Sequence, residues 1–540
     1  MGAHFLTASP RHPRGGKSQT GPEGRRALLL AWTALFAIML GWALATPMGG
    51  APDEPNHITK AVGTVRGQFV GSPTQDAAWE DFTVPRDVGA VIQPSPPCYM
   101  QKPDVPASCM HFFERADATP VSVRTQVGAY NPVYYAVVGW PSLFLHGSPA
   151  FYAMRVVSAL LCSFFLAIVA FCATSRVQRR TPLLLGAVLG LTPMTFFLGA
   201  AVNPSGAEIA SAAAVTALAW LLAVDRSSRH RLSVILLFGA CAAFLANLRA
   251  TSPLYLVLLL VPPLIVGGLP LLRELFARAF TWVIAATAAA AIIAGTVWAA
   301  LVAMPAGYLP ALPDHHGPVY AFARMIFFTY DYLAQAVGNL GYLDTPTPAP
   351  LVALWVIAFV ALIAATLILS RGSSRLAILF SGAAWLLVPA VLEAPIAGKY
   401  GFIWQGRYMM PLLLSLLIAS GFVSSNSASA HRGALQSFAR RLVSASSTTR
   451  SLAVAMAIVS VVDFTIALRR NSVGTERSFV HLFSDPSWTP PGGILVSYLL
   501  LLAGLAGVVA LCYRATRPTL QTAPASESDD EAARRAPAAS

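Results

Sequence analysis

The chain has 540 residues, 56% of them hydrophobic and only 11% charged, with a mean hydropathy of +0.61. Soluble domains carry about a quarter charged residues, so this composition excludes an ordinary soluble globule. The net charge of +13 raises nucleic acid as a partner, but the basic residues are scattered through short loops with no basic stripe between aromatics, which excludes it and leaves them as topology signals.

In chain order, residues 1–26 carry "R-H-P-R-G-G-K-S-Q-T-G-P-E-G-R-R" with no clear signal-peptide cleavage site after them, and are expected to form a disordered cytoplasmic tail. Apolar runs of membrane-crossing length follow at 27–45, 151–174, 182–200, 206–224, 232–248, 253–270, 281–303, 351–370, 376–393, 408–424, 451–468 and 493–513. These predict one all-α polytopic membrane domain of about twelve transmembrane helices over 27–515. Residues 516–540, with "T-A-P-A-S-E-S-D-D-E", are expected to be a second disordered cytoplasmic tail.

Arginine loads alternate loops, which predicts a multi-pass protein of the cell membrane with both termini cytoplasmic. The long segments 46–150 and 304–350 then face outward, and loops of that length are often functional. Arg469, Arg470 and Arg477 violate the pattern by falling outside. Cys162, Cys172, Cys241 and Cys512 lie in apolar runs and read as small core residues. Cys98 and Cys109 share the first long loop, and a disulfide between them is the expectation if that loop faces an oxidising compartment.

Directly after the first apolar run comes "P-M-G-G-A-P-D-E-P-N-H-I", residues 47–58. Pro55 suits the first turn of a helix, which predicts Glu54 as N-cap and Asp53 just outside it. The helix that follows would put Ile58, Ala61, Val62, Val65 and Phe69 on one face and Lys60, Thr64, Arg66 and Gln68 elsewhere, the pattern of an interfacial helix lying along the membrane surface. Asp53 could then serve as a general base toward a hydroxyl or hold a divalent cation (Mg or Mn), with His57 assisting. The plainer reading is a solvated loop in which Glu54 is a helix cap.

Other polar groups fall on the same predicted side. "N-P-S-G-A-E" carries Asn203 and Glu208, and "L-R-A-T-S-P" carries Arg249. "G-Y-L-D-T-P" carries Asp344, and "G-K-Y-G-F-I-W-Q-G-R-Y-M-M-P" carries Lys399, Gln405, Arg407 and Tyr408. Each cation alone reads as a snorkelling interfacial residue. Together with the acids they suit an anionic, phospholipid-like substrate whose phosphate meets Arg407 and Lys399. Residues 319–337 read as a helix lying in the interface or re-entering, and "P-D-H-H-G", 313–317, as a surface loop.

"P-D-E-P-N-H", "N-P-S-G-A-E", "G-Y-L-D-T-P" and "Q-G-R-Y-M-M-P" together resemble a bacterial family of predicted polytopic membrane proteins of unknown function, over roughly residues 27–515. That family in turn resembles the GT-C fold of membrane glycosyltransferases. The resemblance implies a sugar donor carried on polyprenyl phosphate, an envelope glycan or lipid acceptor, Asp53 in the place of the catalytic acid with Glu54 beside it, and Arg407 toward the lipid phosphate. Two other readings stand beside this one: a transporter or flippase for lipid-linked sugars, and a non-catalytic partner in envelope assembly.

Overall fold

The computed structural model describes residues 22–517 except 77, 92–96, 111–115, 175–179, 304–315 and 428–432. Ten of its helices are long and apolar enough to cross a membrane: Gly24–Ala45, Gly147–Thr174, Pro204–Val224, Ser252–Phe276, Ala279–Ala303, Ala349–Leu369, Gly372–Tyr400, Gly406–Asn426, Ser446–Val473 and Gly493–Ala515. The protein is an all-α polytopic membrane protein. Most of the two expected tails lies outside the described residues, as do residues 313–315 of "P-D-H-H-G". Of the first tail, residues 22–26 already belong to the first helix.

Two of the twelve predicted runs are not among these ten helices. Residues 180–199 form two helices, Arg180–Gly190 and Pro193–Gly199, bent by 67°. Pro193 disfavours helical geometry at Thr192, which is extended and caps the second helix through a bond from the Thr195 amide. The run at 232–248 holds a helix of only 15 residues, Leu232–Ala246.

Pro204–Val224 and Gly406–Asn426 form the centre of the bundle: 94% of each apolar stretch is buried, against 11% for Ala279–Ala303 at the rim. Two glycines permit close approaches of these central helices. A Cβ on Gly206 would collide with the Leu198 carbonyl, and one on Gly406 with the carbonyl of Tyr332.

The first long loop folds as a cap. Three short antiparallel strands, Ser72–Pro73, Glu80–Pro85 and Pro120–Thr125, pair in sequence order with Phe82 opposite Val123. This sheet and the helix Pro132–Gly139 pack on the helix Glu54–Thr64. The expectation of an interfacial helix there is therefore corrected. Ile58, Ala61 and Val62 are buried as predicted, but so are Lys60 and Thr64 on the other side, while Phe69 is 54% exposed beyond the helix end. Lys60 is held inside by its bonds to the carbonyls of Phe69 and Gly128. Cys98 and Cys109 form a disulfide in this cap, and the other four cysteines are buried.

The expected helix at 319–337 is two helices, Gly317–Phe327 and Thr329–Gly338. The first exposes Val319 and Phe327; the second turns inward, where its Ala336 carbonyl accepts a bond of 2.9 Å from Thr192 Oγ1 at the bent span. The three arginines that break the charge rule all have partners. Arg470 is buried and binds Asp344 at 2.8 Å, Arg469 donates to the carbonyls of Thr475 and Arg477, and Arg477 pairs with Asp485 at 2.8 Å.

Candidate functional site at the acidic turn

The turn after the first span is built around two acids with opposite roles. Asp53, not Glu54, is the N-cap residue of Glu54–Thr64, which corrects the sequence expectation. It sits in the left-handed region, φ 59° and ψ 6°, and its side chain makes no capping bond. Aspartate tolerates this region better than most residues, yet the conformation costs roughly 1–2 kcal/mol. The carboxylate is thus not engaged by the helix end, and 45% of its side-chain surface stays exposed.

Glu54 points the other way. Its carboxylate is fully buried and grips Arg155 of the span Gly147–Thr174, Nε to Oε1 at 2.8 Å and Nη2 to Oε2 at 2.5 Å. The remaining three donor hydrogens of Arg155 go to the carbonyls of Ala43, Thr46 and Pro47 at the end of the first span. All five guanidinium hydrogens are thus used. Glu54 Oε1 also accepts the Val202 amide at 3.0 Å. Sequence reasoning missed Arg155; the signal was a single cation inside an otherwise apolar run.

The facing side comes from the two central helices. Asn203 caps Pro204–Val224 through the Ser205 amide and donates to the Pro52 carbonyl at 2.8 Å, which ties "N-P-S" to "P-D-E". Arg407, in the first turn of Gly406–Asn426 and 4% exposed, binds Asp53 Oδ2 at 2.5 Å through Nη2, which also reaches the Tyr408 hydroxyl at 3.0 Å. Its Nε and Nη1 are buried with no partner among the described residues. Three helix N-termini, those after Asp53, Asn203 and Gln405, meet here, and the positive ends of helices favour an anion.

Tyr408 joins the second cation to this centre. Its ring lies 5.0 Å from the Arg407 guanidinium and 4.3 Å from that of Arg249, both within cation–π range. Arg249 is held by Glu208 at 3.5 Å and by Ser205 Oγ at 3.3 Å; Glu208 also accepts from Ser252 Oγ at 2.5 Å. Glu208 is therefore a support for Arg249. Gln405 is the N-cap residue of Gly406–Asn426 without a capping bond, and its Oε1 has no partner among the described residues.

His57, one helical turn after Asp53, is buried with Nδ1 at 2.9 Å from the Tyr135 hydroxyl and its ring 6.1 Å from that of Tyr130. Burial pushes its imidazole down to about 3; Asp53 opposes this and Arg407 and Arg249 add to it, so His57 is neutral at physiological pH. For Asp53, burial acts to raise the carboxyl, but Arg407, His57 and Arg249 together outweigh it and hold the group below the ordinary value of 3.8.

Two expected site residues lie elsewhere. Lys399 is exposed near the end of Gly372–Tyr400 with its amine 4.9 Å from the Tyr400 ring. Asp344 is consumed by Arg470, and nearby Tyr342 donates to the Gly49 carbonyl at 2.8 Å, so that motif braces the acidic turn. A second residue missed from sequence is Glu393, whose Oε1 accepts the amides of Ile403 (2.5 Å) and Trp404 (3.2 Å) and so shapes the turn leading into Arg407.

A divalent cation does not fit the residues around Asp53. Both Glu54 oxygens are taken by Arg155, Asp53 is paired to Arg407, and a second guanidinium stands close by. No group of three or more His, Cys, Asp or Glu side chains converges among the described residues.

Fold and site together define a polytopic membrane protein with a cationic polar centre at one end of its central helices. The chain belongs to the DUF2142 family, described as predicted membrane proteins, whose profile matches residues 36–416. No curated protein and no solved structure matches it.

Proposed function

We propose that the protein is a membrane glycosyltransferase of GT-C type that moves a sugar from a polyprenyl-phosphate donor to a hydroxyl of an envelope glycan or lipid. The cap and the acidic turn face outward and both termini are cytoplasmic, as the arginine distribution indicates. One observation carries the reading: an open carboxylate on Asp53 beside a buried Arg407 that keeps two nitrogens without partners among the described residues. Such a pair suits a reaction in which a base and a phosphate-binding cation act on one bond.

In the proposed step the acceptor oxygen attacks the anomeric carbon, and the bond from that carbon to the phosphate oxygen breaks. The electron pair leaves on the lipid phosphate, which Arg407 and the three helix N-termini stabilise. The acceptor proton passes to the Asp53 carboxylate. While Arg407 faces it alone, Asp53 is a weak base; a phosphate that shares the guanidinium charge raises its basicity. No step runs through a metal.

The runner-up is a transporter or flippase for lipid-linked sugars. It is favoured by Asp463 within the span Ser446–Val473, which accepts from Thr347 Oγ1 at 2.5 Å while its Oδ1 has no partner among the described residues. Profiling lipid-linked sugars and envelope glycans in cells carrying the wild type, Asp53→Asn or no copy separates the two. The enzyme reading expects Asp53→Asn to match the null, with unused donor accumulating. A wild-type profile from Asp53→Asn sinks it.

A further inference from the structure

Beside the acidic turn is a cleft of about 520 Å3, its open mouth included, lined by Tyr130, Asn131, Arg249, Thr251 and Trp298 among others. Two of these residues also border the centre already described: Tyr130 lies against His57, and Arg249 lies over Tyr408. The cleft and the Asp53–Arg407 pair are therefore neighbours that share walls. The Trp298 indole is fixed by a bond of 2.9 Å from Nε1 to the Ala129 carbonyl. Just after it, Ala299–Ala303 forms a π-helical turn, a distortion frequent at functional sites.

We propose that this cleft is a saccharide-binding subsite that seats the acceptor beside Asp53; the inference rests on the transfer reading and adds to it the class of the second substrate. A sugar ring has apolar C–H faces and a rim of hydroxyls. It is recognised by flat aromatic walls together with a few fixed polar groups, and Tyr130 and Trp298 with Arg249 and Thr251 supply that combination. A hydrocarbon chain suits instead the other large cleft, of about 810 Å3 between the spans, whose lining includes Leu35, Val169, Leu414 and Val508 and no charged side chain. Asp53 is the N-cap of the helix whose first turn carries His57, so the Tyr130 wall of the cleft borders the helix end at which the open carboxylate stands.

The test is saturation-transfer NMR on the purified full chain in lipid nanodiscs, with the methyl glycosides of glucose, galactose, mannose and N-acetylglucosamine at millimolar concentration. At least one should show saturation of its ring protons. Ala250→Trp, an exposed lining position where the larger side chain fills the cleft, should weaken that binding about tenfold or more. Trp298→Ala should weaken it as well, whereas Trp298→Phe should retain most of it. The proposal is overturned if none of the four glycosides binds, or if Ala250→Trp and Trp298→Ala both bind like the wild type. No transfer is needed for the signal, so the readouts part: full transfer by Asp53→Asn would overturn the enzyme reading, while loss of saccharide binding in the cleft variants would still support the cleft.

Discussion

Asp53 and Glu54 are adjacent, and each meets an arginine at 2.5 Å, yet the two pairs are built in opposite ways. Glu54 and Arg155 are fully buried, and the arginine spends all five hydrogens on fixed acceptors that knit the first span, the acidic turn and the span Gly147–Thr174 together. Asp53 is partly open on a strained backbone, and Arg407 keeps two nitrogens unpaired among the described residues. A closed pair of this kind holds a shape, whereas an open one is left ready for a further group. Charge alone does not distinguish them; the count of satisfied donors does.

Breaking the closed pair should produce the largest effect. Arg155→Met leaves the Glu54 carboxylate buried without its cation and three carbonyls without donors. Removing one partner of a buried pair typically costs about 3–5 kcal/mol, so the variant should insert poorly or unfold far below the wild type in a thermal scan in detergent. A wild-type melting temperature would show that the pair is not a structural clamp. Asp53→Asn sharpens the contrast, because asparagine also tolerates the left-handed region. Stability should stay near that of the wild type while glycan transfer falls about a hundredfold or more, the usual contribution of a general base. Equal loss of stability from both variants would erase the distinction.

Arg407→Lys should have an intermediate effect. The charge toward Asp53 survives, but the planar fork and the two unpaired nitrogens are lost. We expect roughly tenfold weaker use of the donor, read as a rise in donor KM, with little change in melting temperature. An unchanged KM would remove Arg407 from the phosphate.

The spans were legible because about twenty apolar residues in a row leave few alternatives. The break at Thr192–Pro193 was less so, since a single proline barely alters the hydropathy of the run around it. The cap was hidden: its strands are two and six residues long, and Glu80–Pro85 pairs with Pro120–Thr125 across a long stretch of chain. In the site, "P-D-E-P" and "Q-G-R-Y" stood out as polar groups at span ends, and they meet as Asp53 and Arg407. That Glu54 clamps an arginine and Asp53 takes the N-cap position could not be read, because the first depends on Arg155, 101 residues away, and the second on a backbone twist that no spacing encodes. The face assigned to Lys60 was misread for the same reason: acceptors from Phe69 and Gly128 bring it inside.

Buried Lys60 should reveal itself at alkaline pH. Burial lowers its amine from 10.5 to about 8, with Glu80 opposing. Between those values the unfolded chain holds a proton that the folded chain has released, so stability rises with pH across that window. Urea unfolding followed from pH 8 to pH 10 should show the increase in the wild type and lose this contribution in Lys60→Met.

His57 should give the smallest effect near neutrality, and this makes it a sharp check on the electrostatics of the centre. Its imidazole sits at about 3 in the folded chain against 6.5 in the unfolded one, because burial outweighs the attraction of Asp53 while Arg407 and Arg249 add repulsion. Above pH 6.5 both states are neutral, so neither stability nor transfer should vary with pH on account of His57 between 6.5 and 8. Below 6.5 the unfolded chain takes up a proton that the folded chain refuses, so stability falls as the pH drops from 6.5 toward 3. His57→Gln removes the titration and should flatten this acid slope without moving the neutral plateau. A transfer rate that follows a group of pKa near 6.5 in the wild type, and loses that step in His57→Gln, would mean that the imidazole is charged beside Asp53 and takes part in proton movement. The open pair would then be a three-membered relay, and the contrast with the closed pair would lie in the histidine as much as in the unpaired arginine.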